Sequence, residues 1–181
     1  MRIGLDILAI LPLVLPPTVL GYYIVYYLSP NSTIGEFLQS SLGWTPVFSF
    51  GGILLATVIY SFPFMVRSLI DGWKSIPENA FNMIELNRFS LKQKLKYIFL
   101  PYLKPYIASG FIMSFAHAMG AFGVILMVGG NMPETRTASV AIYDSMMLMD
   151  YDTANTYALV LLGLSVSIVV IVKLIQHRYN D

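Results

Sequence analysis

The sequence predicts an all-α fold, a polytopic transmembrane helical bundle of about four spans with a cytoplasmic two-helix loop, on three observations. Hydrophobic residues are 56% of the 181 and charged residues 12%, with a mean hydropathy of +0.67; a soluble domain carries about 25% charge. The charges are clumped, so that Ile7–Gly35, Phe37–Val66, Pro105–Pro133 and Thr153–Val172 contain no Asp, Glu, Lys or Arg. Each stretch can hold the ~20 apolar residues that a helix needs to cross a bilayer. None shows the alternation of a barrel strand.

In order, the expected spans are Ile10–Leu28, Phe48–Val66, Ile107–Val128 and Thr156–Ile175. The first follows Met1-Arg2 like a signal peptide, but Pro12, Pro16 and Pro17 interrupt it and no small-x-small cleavage site follows. Pro16-Pro17 and Pro63 read as helix kinks whose freed carbonyls are satisfied by neighbours or cavity water. Tyr22, Tyr23, Tyr26 and Tyr27 form an aromatic belt at the outer end of the first span. Gly120 and Gly123, one turn after Ala116, allow close helix approach. His117 is the one titratable group within a span and reads as a neutral imidazole hydrogen-bonded across a helix interface. The chain has no cysteine and only His117 and His177, so disulfides, iron–sulfur clusters and cysteine zinc sites are excluded. Neither a catalytic nor a metal or cofactor site is expected.

Orientation follows from the cations. Arg67, Lys74, Arg88, Lys92, Lys94, Lys96 and Lys104 all fall between the second and third spans, which makes that loop cytoplasmic. Arg2, Lys173 and Arg178 then share that side, with both termini inside. The outer loops hold only Arg136 against Glu36, Glu134, Asp144, Asp150 and Asp152. Within the inner loop, Ser75-Ile76-Pro77-Glu78 and Ser90-Leu91-Lys92-Gln93 have the form of capping boxes. They predict one helix from Ile76 to about Leu86, stopped by a left-handed Asn87, and a second ending before Leu100-Pro101. On the second, Leu91, Leu95, Ile98 and Phe99 are expected on one apolar face, with Phe89 exposed at the turn. Such a hairpin could lie on anionic headgroups or dock a cytoplasmic partner.

A short helix, a turn, a second helix and then Leu-Pro before the next span resembles the coupling loop of ABC transporter permeases. Within that family the chain is similar to the molybdate permeases, from about Leu5 to Ile175. The resemblance rests on the Leu11–Gly21 run Leu-Pro-Leu-Val-Leu-Pro-Pro-Thr-Val-Leu-Gly, on Ser61–Arg67, on Met119–Gly123 and on Gly130–Thr137, in the family's order and spacing. It implies one transmembrane domain over residues 1–181, with residues 75–101 as the loop. The implied partners are a second copy of the chain, two ATP-hydrolysing subunits, an external molybdate-binding protein, periplasmic or lipid-anchored, and membrane lipid. The implied location is the cytoplasmic membrane of a bacterium or archaeon. ATPase coupling is expected from Glu78, Phe81, Glu85, Leu86, Asn87, Arg88, Phe89 and Pro101. The translocation pathway is expected from Pro16, Pro17, Ser61, Met65, Gly120, Phe122 and Gly123. Binding-protein docking is expected from Asn131, Thr135 and Arg136. Several features depart from the family: its usual first helix is missing before Leu11, and the loop signature is degenerate over Phe81–Arg88. Ala121 stands where Glu is frequent, and the Asn131–Thr137 motif is one glycine short.

Apart from Lys173 at the end of the last, no charged residue lies inside an expected span, where it would cost at least ~2.5 kcal/mol at the helix centre. A proton- or sodium-coupled carrier would keep one as its relay, so an external ATPase is favoured over a secondary transporter. A divalent oxyanion then meets no fixed cation on its way, which suits passage and leaves selectivity to the external binding protein. Tungstate or sulfate as cargo, a truncated non-functional permease and a non-transporting scaffold are the alternatives.

Overall fold

Prolines and glycines decide where the helices of this chain are cut. The computed structural model describes residues 11–87 and 89–180, with residues 85, 172 and 175–180 described by backbone alone. Regular structure among the described residues is entirely helical: α1 (Pro17–Leu28), α2 (Thr33–Leu42), α3 (Phe50–Lys74), α4 (Glu78–Leu86) and α5 (Leu91–Lys94), then a π-helical turn (Leu95–Phe99), α6 (Leu100–Met119), α7 (Phe122–Gly129), a 3-10 turn (Pro133–Thr135), α8 (Ala138–Met147) and α9 (Tyr151–Asn180).

The chain is multi-pass, but its spans differ from four simple helices. Among the described residues α3 and α9 are each long and apolar enough to cross a membrane, and the run from Leu91 through α6, taken together with α7, is long and apolar enough for a third span, broken by a 63° bend, or for a re-entrant loop. The expected first span begins at Ile10, outside the described residues. Its remainder is a helical turn over 11–14 and the twelve-residue α1, separated at Leu15-Pro16. Both of those residues precede a proline, which disfavours helical backbone, and Pro16 is extended at φ −53°, ψ 137°. The second span runs past Val66 to Lys74, taking in Arg67 and Asp71, which pair at 3.6 Å one turn apart on the surface. The last begins at Tyr151 rather than Thr156.

α3 and α6 lie antiparallel, with Ser61 opposite Ser114, Met65 opposite Gly110 and Ser68 opposite Tyr106. A Cβ at Gly110 would lie 2.9 Å from Met65 Sδ and 3.0 Å from Ser68 Cβ, so only glycine allows this approach. Ser68 Oγ donates to the Tyr106 carbonyl at 2.7 Å and Ser114 Oγ to the Ser61 carbonyl at 3.2 Å. Lipid is as apolar as the side chains, so close packing and such hydrogen bonds carry helix association here. α1 runs parallel to α7, and Leu20, Ile24, Ile53, Ala56, Val124, Val128 and Val140 from α1, α3, α7 and α8 form the main core. α9 packs on α8 and α6, leaving Leu159, Val160, Leu162 and Leu164 exposed on an apolar face.

Two helices were absent from the sequence reading. α2 is capped by Ser32, whose Oγ accepts from Gly35 N at 3.0 Å, and ends at left-handed Gly43. α8 follows Thr137 and ends at Leu148.

Candidate functional site

The structure brings five of the seven expected pathway residues to one place. At the end of α6, Gly120 leads into Ala121 at φ −77°, ψ 58°, and Phe122 N donates to the Gly120 carbonyl at 2.8 Å. This is an inverse γ-turn, and it produces the bend. α7 starts there, without a side-chain cap, beside the start of α1, also uncapped. Pro17 and Thr18 meet Gly123: a Cβ at Gly123 would lie 3.2 Å from Pro17 Cβ and 3.2 Å from Thr18 Cγ2. Pro16, Pro17, Gly120, Phe122 and Gly123 thus surround two adjacent helix breaks. Phe122 also stacks at 4.8 Å on Tyr143 of α8.

Ser61 and Met65 belong instead to the α3–α6 seam. Ser61 is buried, and its Oγ lies 3.4 Å from His117 Nδ1. The imidazole sits between Tyr60 and Phe64, with ring centroids 4.2 and 4.4 Å away. Met65 fills the space over Gly110. His117 is therefore packed and hydrogen-bonded between helices, as the sequence suggested. It stands one turn before the break, and Gly120 N donates to its carbonyl at 3.2 Å.

The loop between α3 and α6 has its own small core of Ile76, Ala80, Ile84 and Ile98, with Phe81, Phe89 and Phe99 against it. Trp73 of α3 packs on Phe99 at 5.2 Å and on Phe81 at 6.1 Å, which fixes the loop to the end of the span. Several expectations need correction. Ser75 does not open a capping box: its Oγ turns back to the Gly72 carbonyl at 2.7 Å and closes α3. Ser90 does form one, accepting from Gln93 N at 3.4 Å while Gln93 Oε1 accepts from Ser90 N at 2.8 Å. The helix it starts does not end before Leu100-Pro101 but runs through the π turn into α6. That turn, closed by Leu100 N on the Leu95 carbonyl, shifts the register of the residues after it. Ile98 and Phe99 accordingly face the loop core while Leu91 and Leu95 stay exposed. Phe89 is half-buried, and the exposed apolar residue is Leu86, at 83%. Asn87 closes α4 with its side chain, Nδ2 donating to the Met83 carbonyl at 2.9 Å, rather than with left-handed backbone. Glu78 and Pro101 are exposed; Arg88 and the Glu85 side chain lie outside the described residues.

Beyond α7, Asn131 and Arg136 converge on Asp144 of α8. Asn131 Nδ2 donates to Asp144 Oδ2 at 2.8 Å, and the Arg136 guanidinium lies 3.3 Å from the same oxygen. Buried Thr135 locks the turn, its hydroxyl donating to the Gly129 carbonyl at 2.7 Å and accepting from Met132 N at 3.0 Å. Asp150 caps α9, accepting from Thr153 N at 3.1 Å. Hydrogen bonds from the Thr153 side chain and then its backbone hold the Asp150 carboxyl below its ordinary range.

Comparisons with known proteins place the chain in a family. The family described as "Binding-protein-dependent transport system inner membrane component" matches residues 2–181. The chain is 40% identical over 150 residues to the molybdenum transport system permease protein ModB of Azotobacter vinelandii, covering 82% of this chain and 66% of that protein. It is 36% identical to ModB of Escherichia coli K12, over 77% of this chain and 61% of the relative. To the probable sulfate transport system permease protein cysT of Chlorella vulgaris it is 32% identical, over 95% and 65% respectively. The chain thus spans somewhat under two thirds of the length of these relatives.

Proposed function

The chain belongs to the family of binding-protein-dependent transport system inner membrane components, and from that membership we propose that it is the permease subunit of an ATP-driven importer of molybdate. It is the membrane path and not the enzyme; hydrolysis resides in separate ATPase subunits, two of which associate with a pair of permease chains. An external binding protein delivers the oxyanion. The inner loop lies in the cytoplasm, as do both termini, in the cytoplasmic membrane of a bacterium or archaeon.

The observation that carries this reading is the contact of two broken helices at Pro17 and Gly123. Irregular backbone is tolerated at membrane depth only where protein buries it or where it lines a cavity, and paired discontinuous helices are a recurrent way of building a pathway. Pro16, Pro17, Gly120, Phe122 and Gly123 are assigned to that pathway, with Ser61 and Met65 on its α3 side. Leu86, with Glu78, Asn87 and Pro101, is assigned to the ATPase contact; Phe81 and Phe89 support it from the loop core. Asn131, Thr135 and Arg136 shape the surface that meets the binding protein. Molybdate is favoured over sulfate because the two ModB proteins are 40% and 36% identical to this chain, against 32% for the cysT protein of Chlorella vulgaris.

Proteoliposomes carrying the permease and its ATPase, supplied with ATP and the binding protein, should accumulate labelled molybdate, with tungstate competing and sulfate competing poorly. Uptake of sulfate in preference would reassign the cargo, and robust uptake without the binding protein would remove that partner from the mechanism.

A further inference from the structure

The inner extension of α6 carries a surface that the transport reading leaves unassigned. From Leu91 to Met119 the chain is one helical run of about 29 residues, or about 43 Å at 1.5 Å per residue. The hydrocarbon core of a bilayer is only about 30 Å thick, with polar layers beyond it. Even before α7 is added the run exceeds that thickness by about 13 Å, so its lysine-bearing Leu91 end emerges from the hydrocarbon into the headgroup layer. Its composition suits that place. Lys92 and Lys96 are exposed and Lys94 half-exposed, interleaved with exposed Leu91, Leu95, Tyr97 and Leu100. Lys96 Nζ lies over the Tyr97 ring, 5.5 Å from its centre, a cation–π contact that sets a cation beside an amphipathic ring. No Asp or Glu occurs between Glu85 and Glu134, so this helix carries no acidic residue of its own.

We propose that residues 91–100 form a seat for anionic lipid headgroups. Lys92 and Lys96 meet the phosphates, while Leu95, Tyr97 and Leu100 enter the boundary with the acyl chains. Charge complementarity and the continuity of this surface with a membrane-spanning helix favour lipid as the occupant over a soluble partner, whose approach would require stripping these side chains from the headgroup layer. The Ser90 capping box and the Trp73–Phe99 contact hold the segment rigid relative to the loop, so bound lipid would steady the same loop that carries Leu86. The inference rests on the chain spanning a membrane, and stands or falls independently of the cargo.

Trp73 is the built-in probe, since it is one of two tryptophans and packs on Phe99. With Trp44→Phe in the background, Trp73 fluorescence is measured in proteoliposomes containing either brominated phosphatidylglycerol or brominated phosphatidylcholine in a matching unbrominated mixture. Several-fold stronger quenching by the anionic lipid is expected, reduced to parity at 1 M salt and in the Lys92→Gln, Lys94→Gln, Lys96→Gln variant. Lys92→Arg, Lys94→Arg, Lys96→Arg should retain the preference, which separates charge from folding. Equal quenching by the two lipids in the parent protein, or a preference that the glutamine variant keeps, overturns the proposal. So does a parent without lipid preference whose glutamine variant loses the ATPase, which would make the face a protein dock.

Discussion

Pro17 and Gly123 touch where two helices begin. A Cβ at Gly123 would stand 3.2 Å from Pro17 Cβ and from Thr18 Cγ2, closer than ordinary van der Waals contact. Gly123→Ala should therefore force α1 and α7 apart by a few tenths of an ångström at a cost of about 1–2 kcal/mol. Gly123→Leu cannot be accommodated, and should yield protein that fails to extract as a monodisperse species. A Leu variant with parental melting temperature and uptake would show that the contact is dispensable.

Leu86 and Phe81 make opposite predictions on the same short helix. Leu86 is 83% exposed, so Leu86→Asp should leave the thermal midpoint unchanged while weakening ATPase co-purification at least tenfold. Phe81→Ala opens the space beside Ile84 and Trp73 and should destabilise the loop by about 2 kcal/mol. Limited proteolysis of the loop reads the second effect. If Leu86→Asp keeps full ATPase association, the dock lies elsewhere.

Arg136 and Asn131 share one oxygen of Asp144. The Arg136 side chain is 46% exposed and Asp144 21%, so the ion pair contributes at most about 1 kcal/mol. Arg136→Gln should lower stability by about that amount, and Asp144→Asn by more, because two donors then lose their charged acceptor. A double-mutant cycle on thermal midpoints measures the coupling. If Arg136 also meets the binding protein, Arg136→Glu should weaken that association in a salt-dependent way; unchanged affinity leaves it a brace alone.

Asp150 supplies a pH dependence outside the membrane. Its carboxyl titrates lower in the folded protein than in the unfolded chain because the Thr153 hydroxyl and then its N–H bond the charged form. Its contribution is therefore fully present above the unfolded value of about 3.9 and is lost as pH falls through the lower folded value. Asp150→Asn should reduce the midpoint at pH 7, and reduce it less at a pH below the ordinary carboxylate range. Equal losses at both pH values would contradict the assignment.

His117 packs between Tyr60 and Phe64 and bonds Ser61. His117→Ala should destabilise by about 1–3 kcal/mol through the lost ring contacts. His117→Gln, which retains a hydrogen-bonding group, should support uptake with the pH profile of the parent. A profile flattened in His117→Gln would assign the imidazole a protonation role.

Charge clustering revealed the membrane class of this chain, the approximate positions of its apolar segments and the placement of a loop between Arg67 and Lys104, because excluding ions from hydrocarbon is a requirement written in composition. The Ser90 capping box and the packed, unexposed role of His117 were legible for a similar reason, being local or nearly so. Ser32 and Gly43, which bound α2, are likewise local start and stop signals. Other features depend on contacts remote in sequence. Pro16-Pro17 and Gly120-Ala121 each announce a kink, but that the two breaks lie side by side follows from α1 packing parallel to α7. Phe89 looks exposed and Leu86 merely helical until Trp73, Ile98 and Phe99 are brought against the loop. Composition and short-range chemistry determined where the chain meets lipid and water. Tertiary packing alone decided which broken ends adjoin and which apolar side chains remain free, because a side chain's burial depends on what other helices place over it.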